Sequence, residues 1–414
     1  MLTLEGKYAT ATVFTENIEA GAVSQILQVC NNVISENSKI AIMPDVHAGK
    51  GCTIGTTMTI SDKIVPNLVG VDIGCGVAVQ PIIVKKGLDW INEFDKTLKK
   101  VVPAGTNVRQ RPHKFAKQTR IEELRCIKHV NIRRATDSIG TLGGGNHYIE
   151  VNYDSKGRHY LCIHSGSRNL GKQIAEHYQK LAYNILNDTK QIQAQEVQEA
   201  IQQLQKENKN HLIDDVVKNI KQKYSEDIKI PKELCFLQGK YMDDYLHDMD
   251  IATEYAYYNR SAMIYEIIRN MKGRIDYAST EENYKSFDTV HNYIDINQKI
   301  LRKGAVSAVK DEILIIPINM RDGSIIAIGK GNPDWNYSAP HGAGRIMSRS
   351  GAKEKVTLSM FKQSMEGIYT TSVNSGTIDE SCFVYKDLQE IVTNIHDAVE
   401  VIDIIKPIYN FKSK

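Results

Sequence analysis

The sequence predicts an α+β fold, one large domain in which central β-sheets are flanked by helices, and three observations predict it. Residues 1 to about 170 alternate short apolar runs with glycine-rich turns, the texture of short buried strands. Residues 171–273 repeat apolar positions at helical spacing. From about residue 285 the strand-and-glycine texture returns. Polar motifs able to carry chemistry stand on both sides of the helical block. A site that draws on both requires both halves to fold together, so residues 1–414 are expected to form a single domain with a helical insertion.

Each element has its own justification. Ile40-Ala41-Ile42-Met43, Ile64-Val65, Val69-Gly70-Val71, Val77-Ala78-Val79 and Tyr160-Leu161-Cys162-Ile163 are short apolar runs bounded by turn residues, read as strands. In the helical block, Val197, Ala200, Ile201 and Leu204 keep one face, as do Ile213, Val216, Val217 and Ile220. The Gln/Lys-rich stretch at about 188–226 reads as a projecting helical hairpin. Ile313-Leu314-Ile315-Ile316-Pro317 and Ser324-Ile325-Ile326-Ala327-Ile328 are the strand candidates after it. A last helix is expected near 386–402, followed by a short strand-like tail.

Composition narrows the function classes. Hydrophobic content of 42% and charged content of 24% are those of a soluble globular chain. No stretch approaches the ~18 apolar residues of a membrane span, and Met1–Lys7 lacks a secretory pattern, so a cytoplasmic protein without a membrane partner is expected. Seven cysteines without C-x-x-C spacing argue against a disulfide framework or a zinc ribbon. A net charge of +3 does not announce a nucleic-acid binder. Between Lys99 and Arg134, however, eleven Lys/Arg stand against two Glu. Arg109, Arg111 and Lys114 are candidates there for following a phosphate backbone, and a solvated helical face is the competing reading.

The residues suited to chemistry sit in glycine-rich settings. His341 lies in Ser338-Ala339-Pro340-His341-Gly342-Ala343-Gly344-Arg345, where the glycines leave room for a phosphate against the backbone. Asp72 and Cys75 lie in Val71-Asp72-Ile73-Gly74-Cys75-Gly76, a carboxylate and a thiol able to face one cation. His147 follows Gly143-Gly144-Gly145-Asn146, His164 precedes Ser165-Gly166-Ser167-Arg168, and His291 stands before Asn292. One such histidine is more often structural than a ligand; several beside Asp72 and Cys75 reverse that weighting. Asp45, in Pro44-Asp45-Val46-His47, is a candidate orienting group for a histidine, against an Asp-capped turn. Thiolate and imidazole favour zinc, carboxylate and phosphate favour Mn²⁺ or Mg²⁺, so spacing alone yields only one or two divalent ions. Neither a Walker loop nor a dinucleotide fingerprint is present.

Together these runs resemble the RtcB family of RNA ligases. The likeness continues in Asp244-Tyr245-Leu246-His247-Asp248-Met249, Asn259-Arg260, Arg302-Lys303-Gly304-Ala305, Tyr385-Lys386-Asp387 and Lys412. The resemblance implies an enzyme that joins an RNA 3′-phosphate or 2′,3′-cyclic phosphate to a 5′-hydroxyl, using GTP and two Mn²⁺ ions. His341 would carry a covalent guanylate. Cys75 would bridge the ions, with Asp72 and His147 on one and His164 and His291 on the other. The GTP contacts it implies are Asn146, His147, Tyr148, Ile149, Glu150, His291, Asn292, Pro317, Ile318, Asn319, Met320, Ser324, His341, Gly342, Ala343, Gly344, Tyr385 and Lys412. Glu150 would accept from the guanine edge and Lys412 would donate to it. Arg168 and Arg345 are available to phosphate, and an archease-type activator is a partner of some members.

Departures from the family pattern are local. Pro317-Ile318-Asn319-Met320-Arg321-Asp322 stands where the family usually reads Pro-Gly-Ser-Met-Gly-Thr, Leu301 where a histidine is usual, and Val306-Ser307 where Thr-Arg is usual. They mark a divergent paralogue, suited more to RNA repair than to general tRNA splicing. A metal-dependent RNA cyclic phosphodiesterase and an RNA-end-binding paralogue without ligation are the alternatives. The first would not need His341, and the second would more naturally have lost Cys75 or His341.

Overall fold

The structure is a computed structural model that describes residues 1–85, 89–187, 189–207, 209–223, 230–278 and 285–413. Two large sheets organise it, and the α+β expectation holds. The first has six strands in the order Leu2–Glu5, Thr10–Val13, Ile40–His47, Ile54–Thr59, Ile300–Lys303, Asn292–Asp295. The second has nine. Its main path runs Ile313–Asn319, Gly323–Gly329, Val399–Lys412, Tyr148–Tyr153, His159–Ser165, Gly76–Val84, Ile275–Tyr277, with Tyr369–Thr370 beside Val399–Lys412 and Phe287–Val290 beside Gly76–Val84. Ala305–Ser307 and Ser338–Pro340 form a small two-stranded ribbon. Both large sheets mix strands from before and after the helical block, which is why the halves fold together.

The helical block contains Arg168–Asn187, Thr189–Lys206, Ile213–Lys223 and Gly239–Asn270. The second and third pack against each other as the hairpin expected at 188–226, although residues 188, 208 and 224–226 of that hairpin lie outside the described residues. No helix among the described residues is long and apolar enough to cross a membrane. Gly239–Asn270 is apolar on more than one side: Tyr245, Met249, Ala252 and Tyr255 join one buried cluster, while Met263, Ile267 and Ile268 join another. It therefore runs through the middle of the molecule.

Three local expectations change. Ile64-Val65 and Val69-Gly70-Val71 are not strands; Pro66 opens a one-turn helix, Pro66–Val69, and Gly70 at φ 103° ends it. The last helix is only Leu388–Asn394. The chain then forms the fourteen-residue strand Val399–Lys412, hydrogen-bonded on both sides. The β-branched run Val399, Val401, Ile402, Ile404, Ile405 fits a pleated surface better than a helix.

Candidate functional site

Strand register collects the metal-type side chains at one sheet end. Gly76 pairs with Ser165 on one side and with Val290 on the other, and His164 pairs with Tyr148. Cys75, His164, His291 and His147 therefore all stand at strand ends, side by side, although 216 positions separate the outermost two in sequence (291 − 75). The register is braced from behind by the long helix. Arg260, fully buried, donates Nη1 to the carbonyls of Gly74 (2.9 Å) and Ser165 (2.8 Å) and pairs with Asp288 through Nε (2.7 Å). Asn259 accepts from the amides of Gly140 and Thr141 and donates to the carbonyls of Thr141 and Gly166. Two adjacent residues of one helix thus tie the loops of Cys75, His147 and His164 to each other.

Within this frame the ligand-type atoms converge. Cys75 Sγ lies 3.5 Å from His147 Nε2 and 3.3 Å from His164 Nε2. His147 Nε2 is 3.0 Å from Asp72 Oδ2, and His164 Nε2 is 3.3 Å from His291 Nε2. Two groups result, Asp72–Cys75–His147 and Cys75–His164–His291, each with its ligand atoms within 4.8 Å of one another and with Cys75 common to both. His164 has Nδ1 3.2 Å from the carbonyl of Asn146, and donation there leaves Nε2 as a lone pair.

The electrostatics favour a cation. Burial, then neighbouring imidazoles, holds His164 and His291 well below the ordinary histidine value, so both are neutral ligands. Burial, then the adjacent Asp72, pushes the Cys75 thiol well above its usual range. A divalent ion would invert that balance and hold the thiolate. Asp72 is pushed up by burial, but the bond and charge of His147, the bond to Cys75 and the charge of Arg168 together outweigh this and keep it ionised at a lower pH than usual. The donor set fits two ions sharing one sulfur.

His341 approaches from the other side. It follows the strand Ser338–Pro340, and its Nδ1 lies 2.7 Å from Oδ2 of the fully buried Asp45. Donation from Nδ1 leaves Nε2 as the basic atom. The His341 and His291 ring centroids are 4.9 Å apart, so the nucleophile candidate adjoins the ligand cluster. Gly344, at φ 74°, lets this turn pass close to the Asp45 backbone, where any Cβ would collide. Asp45 Oδ1 is buried without a hydrogen-bond partner.

A cleft of ≈ 210 Å³ opens in front of these groups. Of the residues implied for nucleotide contact, Asn146, Tyr148, Glu150, His291, Pro317, Ile318, Asn319, Met320, Ser324, His341, Gly342, Ala343, Gly344, Tyr385 and Lys412 line it. Arg345 lines it too, with Nη1 3.3 Å from Glu380. Glu150 is buried, and burial pushes its carboxyl up to about 7 against the opposing pull of Lys412 and the amides of Asn410 and Asn152. Lys412 Nζ rests 2.6 Å from Glu380, whose own carboxyl, raised by burial, is brought down to about 2 by Lys412 and Arg345. Tyr385 donates to the same carboxylate at 2.9 Å.

Other implied residues do not face the cleft. Ile149 lies between Tyr148 and Glu150 in a strand, so its side chain points to the opposite face and is fully buried in the core. Asn292 bridges the Asp72 carbonyl (3.2 Å) and the Gly304 amide (2.9 Å). Arg168 donates to Thr141 and to the Gly105 carbonyl, close behind His147. Arg109 is a correction: its guanidinium caps the carbonyls of Val101, Ile139 and Gly140, a structural use of its planar fork rather than a phosphate contact. Arg111 and Lys114 are exposed.

Sequence reasoning noted the imidazole of His47 without giving it a role, and missed Arg349 and Glu380. His47 lines the cleft with Nδ1 3.0 Å from the Asp45 carbonyl, and its place two residues after Asp45 was the available signal. Arg349 lines the cleft from a short helix. Glu380 had no local signal; only its partners Lys412, Arg345 and Tyr385 reveal it.

Comparison with known proteins gives the family. The family described as "tRNA-splicing ligase RtcB" matches residues 27–126 and 113–413. An RNA-splicing ligase RtcB of Escherichia coli K12 is 30% identical over 391 residues, covering 88% of this chain and 87% of its own. The tRNA-splicing ligase RtcB of Aeropyrum pernix is 26% identical over 439 residues (86% and 83%), and that of Nanoarchaeum equitans 23% over 465 (92% and 87%).

Proposed function

Because the chain belongs to the RtcB family, we propose that it is an RNA ligase, dependent on GTP and Mn²⁺, that joins RNA 3′-phosphate or 2′,3′-cyclic phosphate ends to 5′-hydroxyl ends. The observation that carries this reading is the contact of the Asp45-braced His341 with a Cys75-centred double ligand set in one cleft. A metal-dependent phosphodiesterase would need the ligand set but would not require a histidine nucleophile.

The chain's own residues divide the work as follows. Asp45 holds His341 with Nδ1–H toward the carboxylate, which presents Nε2 to the α-phosphorus of GTP and stabilises the imidazolium that forms as pyrophosphate leaves. The Nε2–phosphorus bond so formed stores GMP on the protein. A 2′,3′-cyclic end is first opened by water, which breaks the bond to O2′ and leaves a 3′-phosphate; that 3′-phosphate oxygen then attacks the guanylate phosphorus, His341 leaves, and the RNA end carries the guanylate. Attack by the 5′-hydroxyl on the activated phosphate closes the RNA bond and releases GMP. Two Mn²⁺ ions held by Asp72, Cys75, His147, His164 and His291 would offset phosphate charge and polarise the phosphorus under attack. Glu150 accepts from guanine N1–H and the 2-amino group when ionised, and Lys412 donates to O6; adenine lacks that complement. Gly342 and Gly344 let the phosphates approach the backbone, and Arg345 with Arg349 lines the same opening.

The test is incubation with Mn²⁺ and α-labelled GTP. Acid-labile, alkali-stable label should stay on the protein, vanish in His341→Ala, and be chased into joined RNA. Absence of label on the intact protein would sink the ligase reading. Label that is not chased into RNA would leave an archease-type activator to be supplied.

A further inference from the structure

A second cleft, separate from the nucleotide cleft, is walled by aromatic rings. Tyr257 and Tyr265 project from one face of the long helix, two turns apart, and Phe115 comes from the basic stretch between Lys99 and Arg134. Tyr277 and Phe287 close it from the two short strands that pair in succession along one edge of Gly76–Val84. Tyr257 and Tyr277 are each 50% exposed, an uncommon state for rings gathered in one cleft. Cations accompany the rings: Lys114 Nζ sits 3.6 Å from the Tyr265 centroid and the Arg269 guanidinium 6.0 Å from it. Among the described residues, Asp288 is paired with Arg260, and Glu266 with His113 and Arg269, which leaves Lys114 as the cation on the rings.

Resting on the ligase reading above, we infer that this cleft binds unpaired nucleotides of the RNA substrate by stacking their bases on Tyr257 and Tyr277. Open aromatic faces beside cations are the surface that single-stranded nucleic acid recognises without sequence preference. The cleft stands on the helix-facing side of the strand Gly76–Val84, where Ala78 and Gln80 line it, whereas Val77 lines the nucleotide cleft on the other face. It therefore serves nucleotides set back from the reacting end, on RNA that passes around the sheet edge. The cleft also gives a use to the exposed Lys114 of the basic stretch.

The experiment compares the protein with Tyr257→Ala/Tyr277→Ala and with Tyr257→Phe/Tyr277→Phe. Affinity is read by fluorescence anisotropy with a single-stranded RNA dodecamer ending in 3′-phosphate. The alanine variant should bind at least about tenfold more weakly, and the phenylalanine variant should bind as the parent does, since stacking needs the ring and not the hydroxyl. Guanylate label at His341 is measured on the same samples and should be equal in all three, which certifies folding. Equal RNA affinity in the alanine variant, with label intact, overturns the cleft assignment, leaves the ligase reading standing, and turns attention to a protein partner for the rings. Equal weakening in both variants also overturns it, because the hydroxyls would then be responsible. Loss of label from the parent protein is the separate failure, that of the ligase reading.

Discussion

The two walls of the nucleotide cleft are built differently. The ligand wall, with Asp72, Cys75, His147, His164 and His291, is fastened by buried, fully paired polar groups: Arg260 and Asn259 reach its loops from the helix behind. The opposite wall, Pro317–Asp322 with Glu380, Tyr385 and Lys412, is held by charge pairs, the buried Lys412–Glu380 pair and the part-exposed Arg321–Asp322 pair. Arg321 forms a bidentate pair with Asp322 (2.8 and 2.9 Å), and Asn319 accepts from both their amides. This is where the sequence departs from the family pattern. Ile318 and Asn319 still line the cleft, whereas Arg321 and Asp322 make a self-contained turn beside it. The comparison teaches that the chemistry is placed where the fold tolerates little change, and recognition where substitutions are absorbed locally.

Breaking the ligand wall should cost most. Cys75→Ala removes the atom common to both ligand groups and should abolish guanylate labelling, read as loss of at least about 10³-fold. Asp45→Asn, on the nucleophile, should slow label formation by about 10²-fold or more, because the neutral amide stabilises no imidazolium and its NH2 group favours the tautomer with Nε2 protonated. Arg260→Met should lower unfolding free energy by about 3–5 kcal/mol, because it leaves Asp288 and two carbonyls without their buried partner; denaturant titration measures it.

The recognition wall should respond more mildly and with pH. Glu150 keeps its proton in the folded protein up to about pH 7, whereas the unfolded chain releases it near 4.5. Its raised value makes the folded state the greater proton binder between those limits, so stability falls as pH rises from about 4.5 through 7. Glu150→Gln should remove that slope, worth up to about 3 kcal/mol, and at pH 8 should erase discrimination of GTP from ATP. The smallest effect belongs to the departures. Arg321→Gly with Asp322→Thr breaks a half-exposed ion pair and should shift stability by less than about 1 kcal/mol, with GTP affinity the sharper readout.

What was legible in the sequence follows the same division. Asp72, Cys75, His147, His164, His291 and His341 announced themselves because glycines and apolar strands frame each one. Residues inside regular strands were harder: Ile149 shares a motif with Tyr148 and Glu150, yet the two-residue period of a strand turns it inward. Val399–Lys412 was obscured because its start reads as a continuation of the helix Leu388–Asn394, and only pairing with Gly323–Gly329 and Tyr148–Tyr153 defines it. Arg109 shows the limit of charge counting, since a guanidinium within a basic run serves backbone carbonyls. Glu380 depends wholly on tertiary partners.

Equilibrium Mn²⁺ binding, counted per chain, tests the central claim most directly. Two ions should bind the parent protein and His341→Ala alike, and Cys75→Ser should retain no more than one at matched free metal. Two ions still bound in Cys75→Ser, or a single ion in the parent, would contradict a sulfur-bridged pair beside the histidine.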